Sequence, residues 1–158
     1  MRRRTFECFG LVIHGFDWRD IRSRVVDAAV HGGRTWIVTA NPEILLAAKR
    51  DPSYWQTLRE ADLRLVDGIG LKLAGWLAGS LPKRLTGVDL ADDLIFLAEV
   101  HAWSVALIGG KDGVADAAAW KLRREHPSLR VTAESGGTVD AQGVGDAAAD
   151  EALHRLIL

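Results

Sequence analysis

Two short polar segments of the chain carry side chains that could bind a ligand, and each stands at the end of an apolar run. The run 35–39 ends in Thr39 and is followed shortly by Asn41, while the run 63–66 leads directly into Asp67. Runs of this kind are typical of strands, and side chains at the carboxyl ends of parallel strands face the crevice where ligands bind. We therefore expect Thr39, Asn41 and Asp67 to share one site.

A third segment adds positive charge, and a fourth adds a glycine-rich turn. Lys83 and Arg84 lie in a predicted loop after Asp67, just before a helical pattern for which Asp89 is the predicted cap. The segment 109–113 contains three glycines and joins a strand-like run to an alanine-rich helical pattern. A turn of this kind could bind a nucleotide, although Ile108 occupies the first glycine position of the dinucleotide-binding pattern GxGxxG.

The site residues also have purely structural interpretations. Asn41 before Pro42 is the pattern of a helix N-cap followed by a proline in the first turn, and Asp67 before Gly68 is an ordinary turn signal. Most loop cations, such as Arg84, are only solvated. Capping and ligand binding are compatible, because a helix N-terminus presents free N–H groups and a positive dipole to an anion. The residues alone leave both interpretations open.

The elements that must position these residues follow from hydrophobic periodicity, which predicts strands alternating with helices. The predicted strands are 6–13, 35–39, 63–66, 103–108 and 129–133, and the fourth is apolar enough for burial on both faces. Helices are predicted after Asp17, Asn41, Asp51, Asp89 and Gly113, and over 69–77 and 147–158. This alternation predicts an α/β fold with a doubly wound, mostly parallel, Rossmann-like sheet and helices on both faces. We assign residues 1–158 to one domain.

Composition excludes several classes of function. The net charge is −1, from 20 basic and 21 acidic residues, so no global field attracts nucleic acid. The single cysteine, Cys8, excludes an internal disulfide and fits a reducing cytosol. No apolar run approaches the ~18 residues of a membrane span, and the five histidines have no metal-ligand spacing.

Taken in order, the segments TANPE, LVDGIGL, KRLTGVDL and ALIGG resemble the WecG/TagA/CpsF family of bacterial glycosyltransferases, over roughly residues 6 to 137. The resemblance implies an inverting transfer of N-acetylmannosamine or a related sugar from a UDP-sugar to a polyprenyl-diphosphate-linked amino sugar, in cell-surface polysaccharide or teichoic acid synthesis. It implies no cofactor and no metal. The expected location is the cytoplasm, peripherally at the inner face of the membrane, and a homo-oligomer is one assembly that the sequence allows.

The resemblance also implies roles for individual residues. Asp67 matches the general base, which takes the proton of the attacking hydroxyl. Gly68 would let substrate approach the backbone closely, and Arg84 would offset charge on the leaving diphosphate. Thr39 and Asn41 would contact substrate. Three glycines would line the UDP pocket, namely Gly109, Gly110 and Gly136.

Two features depart from the family pattern. The segment Gly136-Gly137-Thr138 lacks the aromatic residue expected in an HGYF-like motif, and the chain stops at Leu158, before a C-terminal part that family members carry. The shorter length makes a catalytically silent nucleotide-sugar-binding module the main alternative. A nicotinamide-dependent oxidoreductase, based on the turn after Ile108, is the third.

Overall fold

The computed structural model describes residues 4–111 and 113–134. The chain divides into two compact units, Met1–Asp92 and Asp93–Leu158, and each is described by itself. The α/β class predicted from the sequence is confirmed, because strands alternate with helices and most strand pairs are parallel.

The first unit is built on a sheet of four strands. The strands are β1 (Thr5–Cys8), β2 (Leu11–His14), β3 (Ile37–Ala40) and β4 (Leu63–Val66). Their spatial order is β1-β2-β4-β3, with β1 and β2 antiparallel and the pairs β2–β4 and β3–β4 parallel. The helices are α1 (Trp18–Val30), α2 (Pro42–Arg50), α3 (Pro52–Glu60), α4 (Ile69–Leu77) and α5 (Gly87–Val100), the last of which contains the division between the units.

The prediction of one continuous strand over 6–13 is wrong, because the chain folds back on itself there. Phe9 and Gly10 form a two-residue turn, with φ angles of 51° and 79°. Two successive positive φ angles are the geometry of a type I′ hairpin turn, which matches the twist of the two strands that it joins. A phenylalanine in the first turn position conceals the turn in the sequence, since asparagine or aspartate is usual there.

The predicted helix starts at Asp17, Asn41 and Asp51 are confirmed, because each side chain accepts hydrogen bonds from backbone N–H groups of the first turn. The assignment of Asp89 as a cap is wrong. Helix α5 begins at Gly87, and the N–H of Asp89 donates to the Thr86 hydroxyl at 3.1 Å. Thr86 is thus the cap, and its hydroxyl in turn donates to the Asp89 carboxylate at 2.6 Å.

Packing of the helices on the sheet forms the core of the first unit. Ile13, Leu45 and Ala40 are fully buried, and Phe6 and Leu71 pack with them. Apolar burial of this kind stabilises the fold by roughly 25 cal/mol per Å² of surface removed from water. These buried residues fix the sheet. The residues that follow the strands can therefore be polar.

The second unit contains a parallel pair, β5 (Ser104–Ile108) and β6 (Arg130–Glu134), joined through helix α6 (Val114–Glu125). Ala119 and Leu122 of α6 pack against Val105 and Val131. The prediction that β5 is buried on both faces is wrong for the described part of the chain, where Ser104, Ala106 and Ile108 are exposed. These three residues share one face of the strand, and the helix covers the other.

Candidate active site at the carboxyl edge of the first sheet

Parallel pairing brings the predicted site residues of the first unit together. In the register of β3 and β4, Thr39 lies opposite Leu65 and Ala40 opposite Val66. Asn41 and Asp67 each follow the last residue of their strand, and the Asp67 N–H donates to the Ala40 carbonyl at 2.8 Å. Thr39, Asn41 and Asp67 therefore lie at one edge of the sheet, and all three are half-buried.

The first residue of α5, Gly87, to which the sequence analysis gave no site role, connects these groups. The Gly87 N–H donates a long hydrogen bond, 3.4 Å, to Oδ2 of Asp67. A Cβ atom built on Gly87 would lie 3.1 Å from the Thr39 hydroxyl oxygen, so a side chain there would press on Thr39. The Leu85 N–H donates to the Val66 carbonyl at 3.0 Å, which holds the loop along the end of β4. Gly87 thus positions both Asp67 and Thr39.

Three helices begin at this edge. Helix α2 begins after Asn41, α4 after Gly68 and α5 after Thr86. The starts of α2 and α4 touch, because a Cβ atom at Gly70 would lie 2.9 Å from Cγ of Pro42. Each helix start carries a positive partial charge and N–H groups that have no partner within the helix. The edge therefore favours an anion.

The three helix starts differ in how they are capped. The Asn41 side chain accepts from the Ile44 N–H at 2.8 Å, and Thr86 caps α5 as described above. Helix α4 begins after Gly68, whose φ of 88° suits glycine, and no side chain of the described residues caps it. The first-turn N–H groups of α4, directly after Asp67, are therefore the ones left for an external partner.

Arg84 lies in the loop that leads to Gly87, between Lys83 and Leu85. Its side chain is exposed and makes no hydrogen bond or ion pair with the described residues. The neighbouring Leu85 is fixed at the end of β4, so the guanidinium is carried on an anchored backbone. Arg84 can reach an anion near this edge without first breaking an interaction with the described residues.

The predicted nucleotide contacts in the second unit lie in the turn between β5 and α6. Gly109 and Gly110 have φ angles of 103° and 83°, and the Gly109 N–H donates to the Glu134 carbonyl at 3.2 Å. A Cβ atom at Gly110 would lie 3.1 Å from Val114. Glycine is required here by backbone conformation and by packing. Gly136 lies outside the described residues.

A histidine and an arginine that the sequence analysis did not single out prove to be structural. Nδ1 of His14 accepts from the Arg64 N–H at 3.1 Å, which requires that nitrogen to be unprotonated. The Arg64 guanidinium donates to the carbonyls of Val12, Leu58 and Ala61, and so closes the end of α3 against β2. One histidine on β2 and one arginine on β4 form no repeating pattern, so the sequence carries no signal of their contact.

A second polar cluster, in the second unit, contains the residue types of a hydrolase triad in an unsuitable arrangement. Glu99 Oε2 lies 2.7 Å from Nδ1 of His126, and the Ser128 hydroxyl donates to Glu99 Oε1 at 2.6 Å. Hydrogen bonds from Ser128 and His126 lower the pKa of Glu99. The carboxylate stands between the two other groups, so His126 does not contact the serine hydroxyl, as a serine–histidine–acid triad would require. This cluster is structural.

The described residues contain no group of three or more His, Cys, Asp or Glu side chains placed to hold a metal ion. Within the same part of the chain, no helix combines the length and apolar character needed to cross a bilayer.

Comparison with known proteins agrees with the arrangement of the motifs. Residues 6–155 match the model of the glycosyl transferase WecG/TagA/CpsF family. Curated relatives from three strains of Staphylococcus aureus are named N-acetylglucosaminyldiphosphoundecaprenol N-acetyl-beta-D-mannosaminyltransferase. Each is 33% identical over 95 residues, which are 60% of this chain and 37% of the relative. The chain therefore matches little more than a third of the length of these relatives.

Proposed function

Since this chain belongs to the glycosyl transferase WecG/TagA/CpsF family, we propose that it transfers N-acetylmannosamine or a related sugar from a UDP-sugar to a polyprenyl-diphosphate-linked amino sugar. The names of the relatives support both the transferred sugar and the class of acceptor. A lipid-linked acceptor assigns the reaction to a membrane surface, in the synthesis of a cell-surface polysaccharide or teichoic acid. One observation carries the proposal: a carboxylate, Asp67, directly precedes an uncapped helix start at an edge where two other helices also begin.

The donor diphosphate is assigned to the start of α4 and to Arg84. A diphosphate gains negative charge as the sugar leaves, and fixed N–H groups and a guanidinium stabilise that charge without reorganisation. Thr39 and Asn41 are assigned to the sugar, because their polar atoms lie at the same edge. Gly109, Gly110 and Gly136 remain predicted contacts to the nucleotide on the strength of their motifs.

Asp67 is assigned as the general base. In the proposed step, the acceptor hydroxyl oxygen bonds to the anomeric carbon while the bond from that carbon to the UDP oxygen breaks. The hydroxyl proton passes to the Asp67 carboxylate, and UDP leaves with the bonding electron pair. Attack from the face opposite UDP inverts the anomeric configuration. Among the described residues, Oδ2 accepts only from Gly87 and Oδ1 is unengaged, so the carboxylate retains the capacity to accept a proton.

Replacement of Asp67 by asparagine tests this assignment. Asp67→Asn should lower the rate of transfer by roughly 100-fold or more while UDP affinity changes little, because the amide keeps the shape but cannot take the proton. Asp62→Asn is the matched control: Asp62 lies just before β4, where its carboxylate accepts from the Trp36 N–H at 2.7 Å, a bond that an amide oxygen can also accept. Radiolabelled sugar transfer to a lipid-diphosphate acceptor, measured beside calorimetric UDP titration, gives both quantities.

A nucleotide-sugar-binding module without catalysis is the second candidate, and the Asp67–Gly87 hydrogen bond favours it. That bond gives Asp67 a structural task, which asparagine could perform equally well. Wild-type UDP binding without transfer, or transfer that Asp67→Asn leaves intact, would contradict the assignment of a general base. The first of these results would favour the binding module.

UDP binding by itself tests the donor site. We expect binding in the presence of a metal chelator, and a roughly tenfold weaker affinity in Arg84→Ala, because a charge-assisted contact to phosphate is lost. Arg22→Ala removes the same charge from an exposed position of α1 and should leave the affinity unchanged. Tighter binding of NAD than of UDP would contradict the assigned donor.

A further inference from the structure

A cleft of about 430 Å³ lies in the first unit beside Gly15, the residue that follows β2. Strands β2 and β4 are parallel neighbours, so this cleft is at the same edge of the sheet as Asp67. Neither Asp67 nor Arg84 lines it. The loop 81–87 borders both places, because its first residues line the cleft and its last residue binds Asp67.

One wall of the cleft is the backbone around Pro82, which neighbouring residues hold in place. Cβ atoms built on Gly15 and on Gly75 would each lie 2.6 Å from an atom of Pro82, so the proline ring fits only because both neighbours lack side chains. The Gly15 N–H donates to the Arg4 carbonyl at 2.7 Å, and the Lys83 N–H donates to the Gly15 carbonyl at 3.3 Å. These contacts form a rigid wall for the cleft.

The acidic groups of the cleft are already engaged. Asp17 accepts from the N–H groups of Arg19 and Asp20, and hydrogen bonding at this cap lowers the pKa of Asp17. The Asp20 carboxylate accepts from the Asp17 N–H and pairs with Arg4. Both carboxylates therefore serve the start of α1, and neither forms an ion pair with Lys72 or Lys83.

Two lysines line the cleft. Lys72 and Lys83 form no ion pair with the described residues. The Lys72 ammonium lies 5.6 Å from the ring centroid of Trp76, one helical turn further along α4. Two ammonium groups of this kind favour an anionic group such as phosphate.

An apolar surface leads out of the cleft. Trp76 and Leu81 line it and are about half exposed. On α4, Leu73 and Leu77 continue the surface, and each is more than half exposed. Leu73 lies three residues before Trp76 and four before Leu77, so it adjoins both on the helix surface. Exposed apolar side chains next to unpaired ammonium groups are suited to an amphiphile with an anionic end.

We propose that this cleft binds the diphosphate end of a prenyl diphosphate, with the phosphates between the ammonium groups of Lys72 and Lys83 and the first isoprenoid units against Trp76 and Leu81. The inference rests on the proposed function, in which a lipid diphosphate carries the acceptor sugar. It assigns this lipid to a part of the chain that is separate from the donor site. The loop 81–87 then joins the acceptor lipid to the general base.

Farnesyl diphosphate is a suitable probe, because it carries both chemical features and dissolves as a monomer. Calorimetric titration of the full chain should show binding that Lys72→Gln/Lys83→Gln weakens by roughly tenfold or more, since two charge-assisted contacts are lost. Lys72→Arg/Lys83→Arg should retain binding. Lys49→Gln removes the same charge outside the cleft, where Lys49 lies over Phe9, and should bind as wild type does.

The lipid part of the proposal has its own test. Trp76→Ala should weaken binding of farnesyl diphosphate but leave binding of inorganic diphosphate unchanged. If Trp76→Ala affects neither probe, the cleft binds free phosphate groups only and the proposal is overturned. Binding to vesicles of anionic phospholipid without binding to farnesyl diphosphate would also overturn it, in favour of a membrane-docking surface.

UDP titration of the same variants separates this inference from the proposed function. We expect all of them to bind UDP as wild type does. Loss of UDP affinity in Lys72→Gln/Lys83→Gln would assign the cleft to the donor and overturn the inference. Wild type that binds UDP but not farnesyl diphosphate contradicts the cleft alone, whereas wild type that binds farnesyl diphosphate but not UDP supports the cleft and contradicts the proposed donor.

Discussion

The Asp67 edge and the Lys72 cleft attract anions by different physical means, although both lie at the carboxyl ends of strands in one sheet. At the Asp67 edge the positive potential comes from backbone N–H groups at helix starts, which the fold holds in place, together with the Arg84 guanidinium. In the cleft it comes from ammonium groups on flexible side chains. Binding at the Asp67 edge should therefore depend on backbone geometry in addition to one guanidinium, and binding in the cleft on side-chain charge.

This difference indicates which substitutions matter at each place. Substitution of one polar side chain cannot remove the backbone N–H groups at the helix starts. Any group that displaces the backbone there, however, moves them. Ammonium groups can be removed singly, and solvent and salt screen them. Glycine substitutions, ionic strength and pH can therefore distinguish the two regions.

Among these perturbations, Gly75→Ala should have the largest effect. The new methyl group would overlap Pro82 and lie 2.9 Å from the Phe6 ring, so the wall of the cleft must move. We expect a loss of about 1–3 kcal/mol in the free energy of unfolding, even though alanine favours a helix over glycine. Urea denaturation measures it, with Gly33→Ala as the control because its methyl group would meet neighbours only at 3.6 Å. Unchanged stability would show that Pro82 is not tightly held.

Gly87→Ala should act on function more than on stability. Its methyl group would press on the Thr39 hydroxyl and displace the N–H that binds Asp67. We expect roughly tenfold slower transfer, from misplacement of the base, with the unfolding free energy changed by less than about 1 kcal/mol. Parallel assays of transfer and of urea unfolding check this. An equal rate would show that the loop does not position Asp67.

Much of the fold could be predicted from the sequence, because local signals and periodicity agree in most elements. Asn41 before Pro42 is an example in which capping chemistry and apolar spacing point to the same helix, and the helix over 69–77 follows from its apolar pattern. The hairpin at Phe9 was not predictable in this way, since a phenylalanine with positive φ contradicts its own preference and depends on tertiary packing.

Only part of the candidate site could be predicted, because some of its residues act through contacts between distant parts of the sequence. Parallel pairing of β3 with β4 brings Thr39 and Asp67 together, and α/β alternation predicts parallel strands. Gly87 and Arg64 act through contacts with residues distant in sequence, at Asp67 and at Val12, and no local pattern records such contacts. The cleft was missed because Lys72 and Trp76 belong to one element, whereas Lys83 and Gly15 come from others.

Ionic strength should have a smaller effect, and it should change the binding affinities of the two regions by different factors. Raising sodium chloride from about 0.05 M to about 0.5 M should weaken farnesyl diphosphate binding several-fold, because exposed ammonium groups are screened. UDP affinity should fall by a smaller factor, since helix N–H groups contribute hydrogen bonds as well as charge. Calorimetric titrations across the salt series measure both slopes. Equal slopes would contradict the distinction between backbone and side-chain binding.

The smallest expected effect concerns pH and the pairing of β2 with β4, on which both regions depend. Burial and the nearby Arg64 charge lower the pKa of His14 below its ordinary value of 6.5, and Arg24 adds to this. The unfolded chain therefore binds the proton more readily, so stability is lost as pH falls below about 6.5. His14→Asn keeps an acceptor for the Arg64 N–H and should flatten this dependence, as urea midpoints between about pH 7 and pH 5 would show. Identical curves for the two proteins would contradict it.

The fit of Pro82 between Gly15 and Gly75 has a consequence for the entropy of binding. A loop that closes over a ligand loses conformational freedom at the moment of association, and the affinity is reduced accordingly. Here the loop is immobilised when the first unit folds, since the proline ring already occupies the space that two missing side chains leave. Ligands at either end of the segment 81–87 therefore meet a preorganised backbone. Folding, rather than binding, supplies the order that both sites require.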